Sequence, residues 1–343
     1  MSEATPSLCA ARFPTAGASV ETWIPSFGAP AEDPFSWLRE TAEAVGEHLL
    51  RYGAVLVQGL PLDGPDALAD AREALGLTVQ RPVEAFTRRG EFSRGVVSPI
   101  DWPQDRAVCP FQESAFSMTF PSVVLTACLT PPAGTGRARL ADARRIAGHL
   151  PTRLASRVRA DGWIMTRVFH DGFGLSPEEA FSVPDRAALE EVFEAGGIGH
   201  QQLSEGVLRT IRHRPGVIAH PATGQECWFN QISFLNAHSL DPAERTVMTK
   251  AFGRDMPMDT SFGDGSPLSV EDVAAVQRAW DAVTSEVPWH RGDLLLVDNI
   301  ATAQGRSAYE GSPEFLVTFA TGFPRRPGTT GAGPAHTRKP ASQ

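Results

Sequence analysis

The stretch GVLRTIRHRPGVIAHPATGQECWFNQ, residues 206–231, does most to decide the fold of this 343-residue chain. Segments 207–213 and 226–232, at its start and across its end, are rich in the β-branched and aromatic residues that favour strands. Two further segments of the same character, 293–297 and 315–321, follow towards the end of the chain. This part of the sequence therefore predicts a series of strands.

Working outward from it, helical patterns interrupt the strands. Residues 33–52 place apolar side chains at three- and four-residue steps, which is typical of an amphipathic helix. Helices are also predicted at 65–75, 184–195 and 268–287, the last after the capping-box sequence Ser269-Val-Glu-Asp272. The remaining strand candidates are 54–59, 95–97, 108–116, 122–129 and 163–169. The sequence thus predicts a mainly β sandwich with inserted helices.

Composition and charge narrow the class of protein. With 42% apolar and 21% charged residues the chain has the balance of a globular protein. Its net charge of -9 and the lack of a basic block argue against a nucleic-acid partner. No stretch approaches the apolar length that spans a bilayer, and no signal peptide is evident. We expect a cytoplasmic protein without a membrane partner.

The four cysteines, Cys9, Cys109, Cys128 and Cys227, are far apart and form no CxxC pair. This spacing favours small buried residues over a zinc site or a disulfide framework. For the domain organisation we expect a loose N-terminus over 1–20 and a single domain over 21–324. The glycine- and proline-rich segment 325–343 is expected to be a disordered tail.

Several segments resemble one known superfamily. Beside the opening stretch, they are YGAVLVQGLPL (52–62), FPSVVLTACLTPPAGTG (120–136), DGFGLSPEEAF (171–181) and GDLLLVDNIATAQGR (292–306). Together they are similar to the taurine-dioxygenase and clavaminate-synthase-like superfamily, in particular the branch that hydroxylates amino acids in natural-product pathways. The resemblance runs from about residue 33 to 323. It implies a double-stranded β-helix, or jelly-roll, with helical insertions.

The resemblance also implies an iron site, and here the chain departs from the pattern. Members are expected to hold ferrous iron with a His-x-Asp/Glu pair and a distant histidine. The first pair falls on Phe111-Gln112-Glu113, and the distant histidine falls on Gln304. Phenylalanine cannot coordinate a metal, and an amide is a poor substitute for imidazole. The sequence therefore predicts no metal site.

The residues expected to bind 2-oxoglutarate have changed as well. The family arginine falls on Glu314 and its threonine partner on Ala138. A carboxylate in place of that arginine would repel the cosubstrate by roughly 4 kcal/mol at 4 Å and an effective dielectric of 20. The losses do not depend on register, because no histidine lies within 49–148 or 291–335 and no lysine or arginine within 307–324. We expect no cofactor.

Glu113 is the candidate catalytic residue, since the resemblance places it on a strand that points into the mouth of the barrel. Without a metal to coordinate, a carboxylate in a dry cavity is a suitable general base. The alternative is a solvated or salt-bridged relic, with Arg306 or Arg94 as the partner in a salt bridge. Gln304 either contacts a ligand or hydrogen-bonds to Glu113.

The candidate substrate-binding residues are polar. Arg306 and Arg94 could each hold a carboxylate, sulfate or phosphate in bidentate fashion, or could serve the fold. Asn230 and Gln231 lie in a segment that often carries histidines in the amino-acid hydroxylases. Their retained polarity indicates a cavity that still receives a polar ligand, although a structural role explains it equally well.

Three functional hypotheses follow. The first is a non-redox enzyme that closes a ring, displaces a group or eliminates on an amino-acid-derived intermediate, as in aziridine-type cyclisation. The intermediate could be bound to a carrier protein, and a partner such as a sulfotransferase could activate it. The second is a non-catalytic scaffold subunit of a biosynthetic enzyme, and the third is an oxygenase with a rebuilt metal site.

Overall fold

The computed structural model describes residues 8–12, 23–134 and 136–324, with side chains from Ile24 onward. The expected disordered tail at 325–343, and most of the expected loose N-terminus at 1–20, lie outside the described residues. None of the helices in the described part combines the length and apolar character that crossing a bilayer requires.

The strands of the described chain are numbered in order. They are β1 Leu8–Arg12, β2 Trp23–Gly28, β3 Ala54–Gln58, β4 Thr78–Val79, β5 Val96–Val97, β6 Val108–Phe111, β7 Val123–Thr130, β8 Arg137–Asp142, β9 Trp163–His170, β10 Gly199–Ser204, β11 Val207–Arg214, β12 Val217–Ala219, β13 Glu226–Trp228, β14 Met258–Phe262, β15 Thr284–Pro288, β16 Leu294–Asp298, β17 Thr302–Arg306 and β18 Glu314–Thr321.

Two sheets form the double-stranded β-helix. The larger has the order β1-β2-β3-β16-β7-β18-β4, with β5 also paired to β18, and the smaller has the order β15-β8-β17-β6. All neighbours are antiparallel except β2 and β3. Sequence neighbours such as β16 and β17 lie in different sheets, which is the crossing pattern of a jelly-roll. The predicted fold class is confirmed.

Strand β16 shows how the core is divided. Leu295 and Val297 point between the sheets, where they pack with Ala138 and Leu140 of β8. The alternate side chains, such as Leu294, pack on the outer face against helices. Every residue of β16 is buried, because the strand is covered on both faces. This central position fixes the loop that follows β16 and borders the site.

The helices lie outside the two sheets. They are α1 Pro34–Tyr52, α2 Pro65–Ala74, α3 Thr152–Asp161, α4 Pro177–Phe181, α5 Arg186–Gly196, α6 Pro242–Phe252 and α7 Val270–Ala282. Asp33 caps α1 by accepting from Ser36 N, and Gly53 ends it with φ 82°, a conformation that favours glycine. Buried residues of α1 and α2, including Leu38 and Leu68, cover the larger sheet.

A third sheet of order β10-β11-β9-β14 carries the inserted region together with α4 and α5. Phe169, Phe181 and Phe193 form its own apolar cluster. This insertion packs over the segment around Ala85, which is half-buried against the cluster. It thereby supplies one wall of the cavity described below.

Three predicted boundaries are wrong. The strand expected over 108–116 ends at Phe111, and the one expected over 226–232 ends at Trp228. In both places buried glutamine and asparagine side chains bind backbone groups and take the chain into turns. The helix expected over 268–287 ends at Ala282, because Thr284 begins β15, which pairs with β8.

Candidate functional site

The turn after β6 holds Glu113 in place through its backbone. Asn299, which is fully buried in the loop after β16, accepts a hydrogen bond from Glu113 N at 2.7 Å through Oδ1. Its Nδ2 donates to the carbonyl oxygens of Glu113 and Pro121, both at 2.9 Å. Glu113 therefore lies in a clamped turn after the strand, and the expectation that it lies on the strand itself is corrected.

The carboxylate of Glu113 is paired. Arg89 Nη2 donates to Glu113 Oε1 at 2.8 Å, and the two side chains are 18% and 12% exposed. The guanidinium also lies 5.1 Å from the ring centroid of Phe319, so one of its faces is covered. Of the two partners expected for a salt-bridged Glu113, neither Arg306 nor Arg94 is used.

Two cavities meet at this ion pair. An outer cavity of about 670 Å³ opens towards the inserted region and includes Phe86, Trp102 and Gln231 in its wall. A second cavity of about 130 Å³, called the inner cavity because it lies between the two sheets of the double-stranded β-helix, is more open to solvent than the first. Arg89, Phe111 and Glu113 line both. A ligand that spans the two cavities would therefore contact the ion pair.

The side chains at the expected metal position do not fit iron. Phe111 stacks on Phe234 with ring centroids 4.8 Å apart and an interplanar angle of 13°, so two rings fill the space where an imidazole would stand. Gln304 is the Cα partner of Phe111 across the β6–β17 ladder. Within the described ranges no group of three or more His, Cys, Asp or Glu side chains could hold a metal ion.

The other predicted positions around the inner cavity are an alanine, a glutamine and an arginine. Ala138 and Gln304 line it, and no hydrogen bond of the Gln304 amide occurs within the described residues, so the expected bond to Glu113 is not formed. Arg306 lines it too, but its guanidinium donates to the carbonyl oxygens of Trp102, Pro103 and Arg106, each at 2.9 Å. Burial lowers the pKa of Arg306.

Two predicted residues lie away from the cavities. Arg94 binds Asp70 and Glu73 on α2, both at 2.6 Å, and lines neither cavity. Glu314 is exposed at the start of β18, where a bulge turns Phe315 into the inner cavity instead. The repulsion expected from Glu314 is therefore not exerted inside the cavity. What stands in the wall at this point is a phenyl ring.

Asn230 and Gln231 differ in their position relative to the outer cavity, because Gln231 lines it and Asn230 does not. Asn230 is buried and donates to Gly216 O at 2.7 Å, which is a structural bond. Gln231 lines the outer cavity and donates from Nε2 to Gln112 O at 2.5 Å. Its Oε1 is buried without a hydrogen-bond partner within the described residues. A buried acceptor of this kind calls for a donor.

The sequence prediction missed Arg89 and a buried charge cluster behind the outer cavity. Glu84 lines that cavity and binds Arg167 Nη1 at 2.7 Å and also Arg212 Nη2. The side chains of Glu84 and Arg212 are each 1% exposed. Burial lowers the pKa of Arg167. The signal available was the set of arginines at 209, 212 and 214 on β11, which gave no hint of the partner.

Comparison with known proteins agrees with this fold. The family described as "Taurine catabolism dioxygenase TauD, TfdA family" matches residues 13–319. The dapdiamide synthesis protein DdaC of Enterobacter agglomerans is 26% identical over 268 residues, which are 78% of this chain and 82% of that protein. A clavaminate synthase-like protein of Arabidopsis thaliana is 24% identical over 268 residues, 75% of this chain and 78% of the relative.

Solved structures show the same architecture. PvcB, an iron- and α-ketoglutarate-dependent oxygenase from an isonitrile synthetic pathway, aligns with a TM-score of 0.50 and 12% identity over 92% of this chain and 94% of that chain. A putative α-ketoglutarate-dependent 2,4-D dioxygenase from Burkholderia xenovorans gives 0.50 and 14% over 92% and 96%. By its sequence match and by its double-stranded β-helix, the chain belongs to the TauD/TfdA dioxygenase family.

Proposed function

We propose that this family member catalyses a non-redox step on an amino-acid-derived intermediate of natural-product biosynthesis, without iron or 2-oxoglutarate. The step is a ring closure, a displacement or an elimination. The specific example proposed is an aziridine-type cyclisation. The observation that carries the proposal is the Arg89–Glu113 pair at the junction of two cavities, next to rings that fill the expected metal position.

The pair supplies the two functions that such a step needs. Glu113 can accept a proton, and Arg89 can hold an anionic group of the ligand in bidentate fashion. When the anion binds Arg89, it competes with Glu113 for the guanidinium and makes Oε1 available as a base. Binding of the correct ligand would thus activate the carboxylate, whose charge is otherwise balanced by Arg89.

The atoms of the cyclisation balance without an oxidant. The lone pair of the substrate amine attacks a neighbouring carbon that carries a leaving group such as a sulfate ester. The C–N bond forms as the C–O bond breaks, and the electron pair leaves with the sulfate, which Arg89 stabilises. Glu113 takes the proton that the nitrogen loses. In elimination, Glu113 removes a proton from carbon instead.

The relatives support the biosynthetic setting. One is a dapdiamide synthesis protein, and PvcB belongs to an isonitrile synthetic pathway. The outer cavity of about 670 Å³ has room for an amino acid joined to a longer arm, so we extend the proposal to carrier-bound intermediates. An activating transferase, such as a sulfotransferase, would supply the leaving group.

The test uses O-sulfo esters of β-amino alcohols derived from amino acids, both free and as pantetheine thioesters. Sulfate release is followed by ion chromatography and the cyclic product by mass spectrometry, with EDTA present and 2-oxoglutarate absent. We expect turnover by the native protein and a loss of about 10²–10⁴-fold in Glu113→Gln. Glu205→Gln makes the same chemical change in an exposed turn and should leave turnover intact.

Two outcomes would overturn the proposal. Sulfate release that persists in Glu113→Gln would show that the carboxylate is not the base, and the assignment of Glu113 as catalytic residue would fall. Stoichiometric iron in protein purified anaerobically with ferrous iron, together with succinate formation from 2-oxoglutarate, would establish an oxygenase with a rebuilt metal site.

A further inference from the structure

The inner cavity between the two sheets has a wall that differs in character from that of the outer one. Ala138, Leu140, Leu295, Phe315 and Val317 form much of its surface, and Trp289 packs on Phe315 with ring centroids 5.0 Å apart. We propose that this cavity is a binding subsite for a small uncharged apolar group of about six heavy atoms.

The volume sets the size of the group. The inner cavity measures about 130 Å³. A sealed apolar cavity of roughly 150 Å³, engineered in another protein, binds benzene or xenon, which gives the size of group that such a volume holds. A group of that size would make the van der Waals contacts that the wall residues lack on the side facing the cavity. The cavity therefore accommodates a phenyl ring or a branched aliphatic chain, and a longer ligand must extend through the junction into the outer cavity.

The charges around the cavity argue against an anionic occupant. Its two cations are Arg306, whose guanidinium donates to four backbone carbonyl oxygens, and Arg89, which is paired with Glu113. A carboxylate held among Trp289, Phe315 and Val317 would exchange part of its hydration for contacts with apolar side chains, and Arg89 could pair with it only by leaving Glu113. This exchange is unfavourable.

One polar group remains in the wall. The amide of Gln304 has no hydrogen bond to other described residues and can bind a single carbonyl or hydroxyl at the edge of the apolar group. That this apolar group is part of the substrate rests on the proposed function. The binding itself does not, because it can be measured with a ligand that undergoes no reaction.

Benzene is the probe, and 2-oxoglutarate and succinate are the anionic comparisons. We expect calorimetry to detect benzene binding, and saturating benzene to raise Tm by about 3 °C. The dicarboxylates should not displace benzene, and any binding of theirs to Arg89 should be unchanged by Ala138→Leu. Ala138→Leu fills the inner cavity and should weaken benzene binding at least tenfold, whereas Ala187→Leu adds the same atoms at an exposed position of α5 and should not.

If Ala138→Leu fails to unfold cooperatively, Leu140→Phe fills the same cavity from two residues further along β8. Crystals pressurised with xenon give an independent measurement, with xenon expected between Leu140 and Phe315. Benzene binding that neither substitution weakens, or xenon found in the outer cavity alone, would overturn the inference. So would dicarboxylates that displace benzene or whose binding Ala138→Leu weakens. None of these outcomes depends on sulfate release.

Discussion

Arg89 Nη2 lies 2.8 Å from Glu113 Oε1, and the pair separates an outer cavity of about 670 Å³ from an inner one of about 130 Å³. Both side chains are less than one-fifth exposed. Water therefore screens the attraction far less than it would on the surface. Any ligand that reaches from one cavity into the other must contact this pair, which makes its strength worth measuring.

The first prediction is a double-mutant cycle on this pair. We expect Arg89→Met and Glu113→Gln to lower the free energy of unfolding by less together than the sum of the two single changes, with a coupling of about 1–3 kcal/mol. Urea unfolding measures it. The exposed pair Arg186–Glu190, 3.2 Å apart on α5, is the control and should couple by less than about 0.5 kcal/mol. Equal couplings would mean that the Arg89–Glu113 pair is fully hydrated.

The second prediction concerns the buried cluster behind the outer cavity. Glu84 is the carboxylate that binds both Arg167 and Arg212, so Glu84→Gln leaves two buried guanidiniums without their counter-charge. We expect the free energy of unfolding to fall by about 3–5 kcal/mol. Replacing Arg212 by Met in the Glu84→Gln protein should recover part of the loss, because one unpaired charge is removed.

Thermal and urea unfolding follow both changes, and Glu205→Gln is the matched control. A Glu84→Gln protein as stable as the native one would contradict the electrostatic account of this cluster. It would mean that water or local movement hydrates the two arginines. Added destabilisation on changing Arg212 would show that its packing near Phe116 and Phe181 matters more than its charge.

The main elements of the fold were predictable because period and composition are local properties. Helix α1 and strand β16 lie within two residues of their predicted bounds, since an amphipathic pattern and a run of buried leucines specify them directly. The end of β6 was not predictable. It depends on Asn299, which is 186 residues away and forms hydrogen bonds with both the backbone N–H and the carbonyl oxygen of Glu113.

The site shows the same limit. Glu113, and the absence of histidine at Phe111 and Gln304, could be inferred from the motifs of the resemblance, whereas Arg89 had no motif to mark it. Its role appears only when the fold brings it to Glu113, 24 positions along the chain. Arg94 looked equivalent in sequence, yet a left-handed backbone at φ 55° and two acidic residues on α2 direct it elsewhere.

The third prediction concerns the thiols of Cys128 and Cys227, both fully buried. Burial raises the pKa of each to about 12. Because the folded pKa exceeds the ordinary value, the thiols contribute their full stability below about pH 9, and that contribution is lost as the pH rises from 9 towards 12. We expect neither thiol to react with iodoacetamide at pH 8 in the native protein.

Peptide mass spectrometry checks this, with urea-unfolded protein as the control in which both thiols should be alkylated within minutes. Alkylation in the native protein at the unfolded rate would show that the sheets open locally around β7 and β13. Replacing Cys128 by Ser should flatten the alkaline fall in unfolding free energy, because one of the titrating groups is then absent.

The last prediction rebuilds a metal site. Phe111 and Gln304 are Cα partners on β6 and β17, and Glu113 follows two residues after Phe111. In Phe111→His/Gln304→His two imidazoles would join the Glu113 carboxylate, which is the ligand set that binds divalent transition metals. We expect this variant to bind Co²⁺, seen by its visible absorption and by calorimetry, and the native protein to bind none.

Arg89 would compete with the metal for Glu113, so adding Arg89→Met should raise the Co²⁺ affinity further. The loss of the Phe111–Phe234 stack should cost about 0.5–1.5 kcal/mol of stability in the absence of metal. Each single histidine variant is the control and should bind Co²⁺ at least tenfold more weakly. If the native protein binds Co²⁺ as tightly as the double variant, then Phe111 and Gln304 are not what keeps metal out, and the ligands must come from elsewhere in the chain.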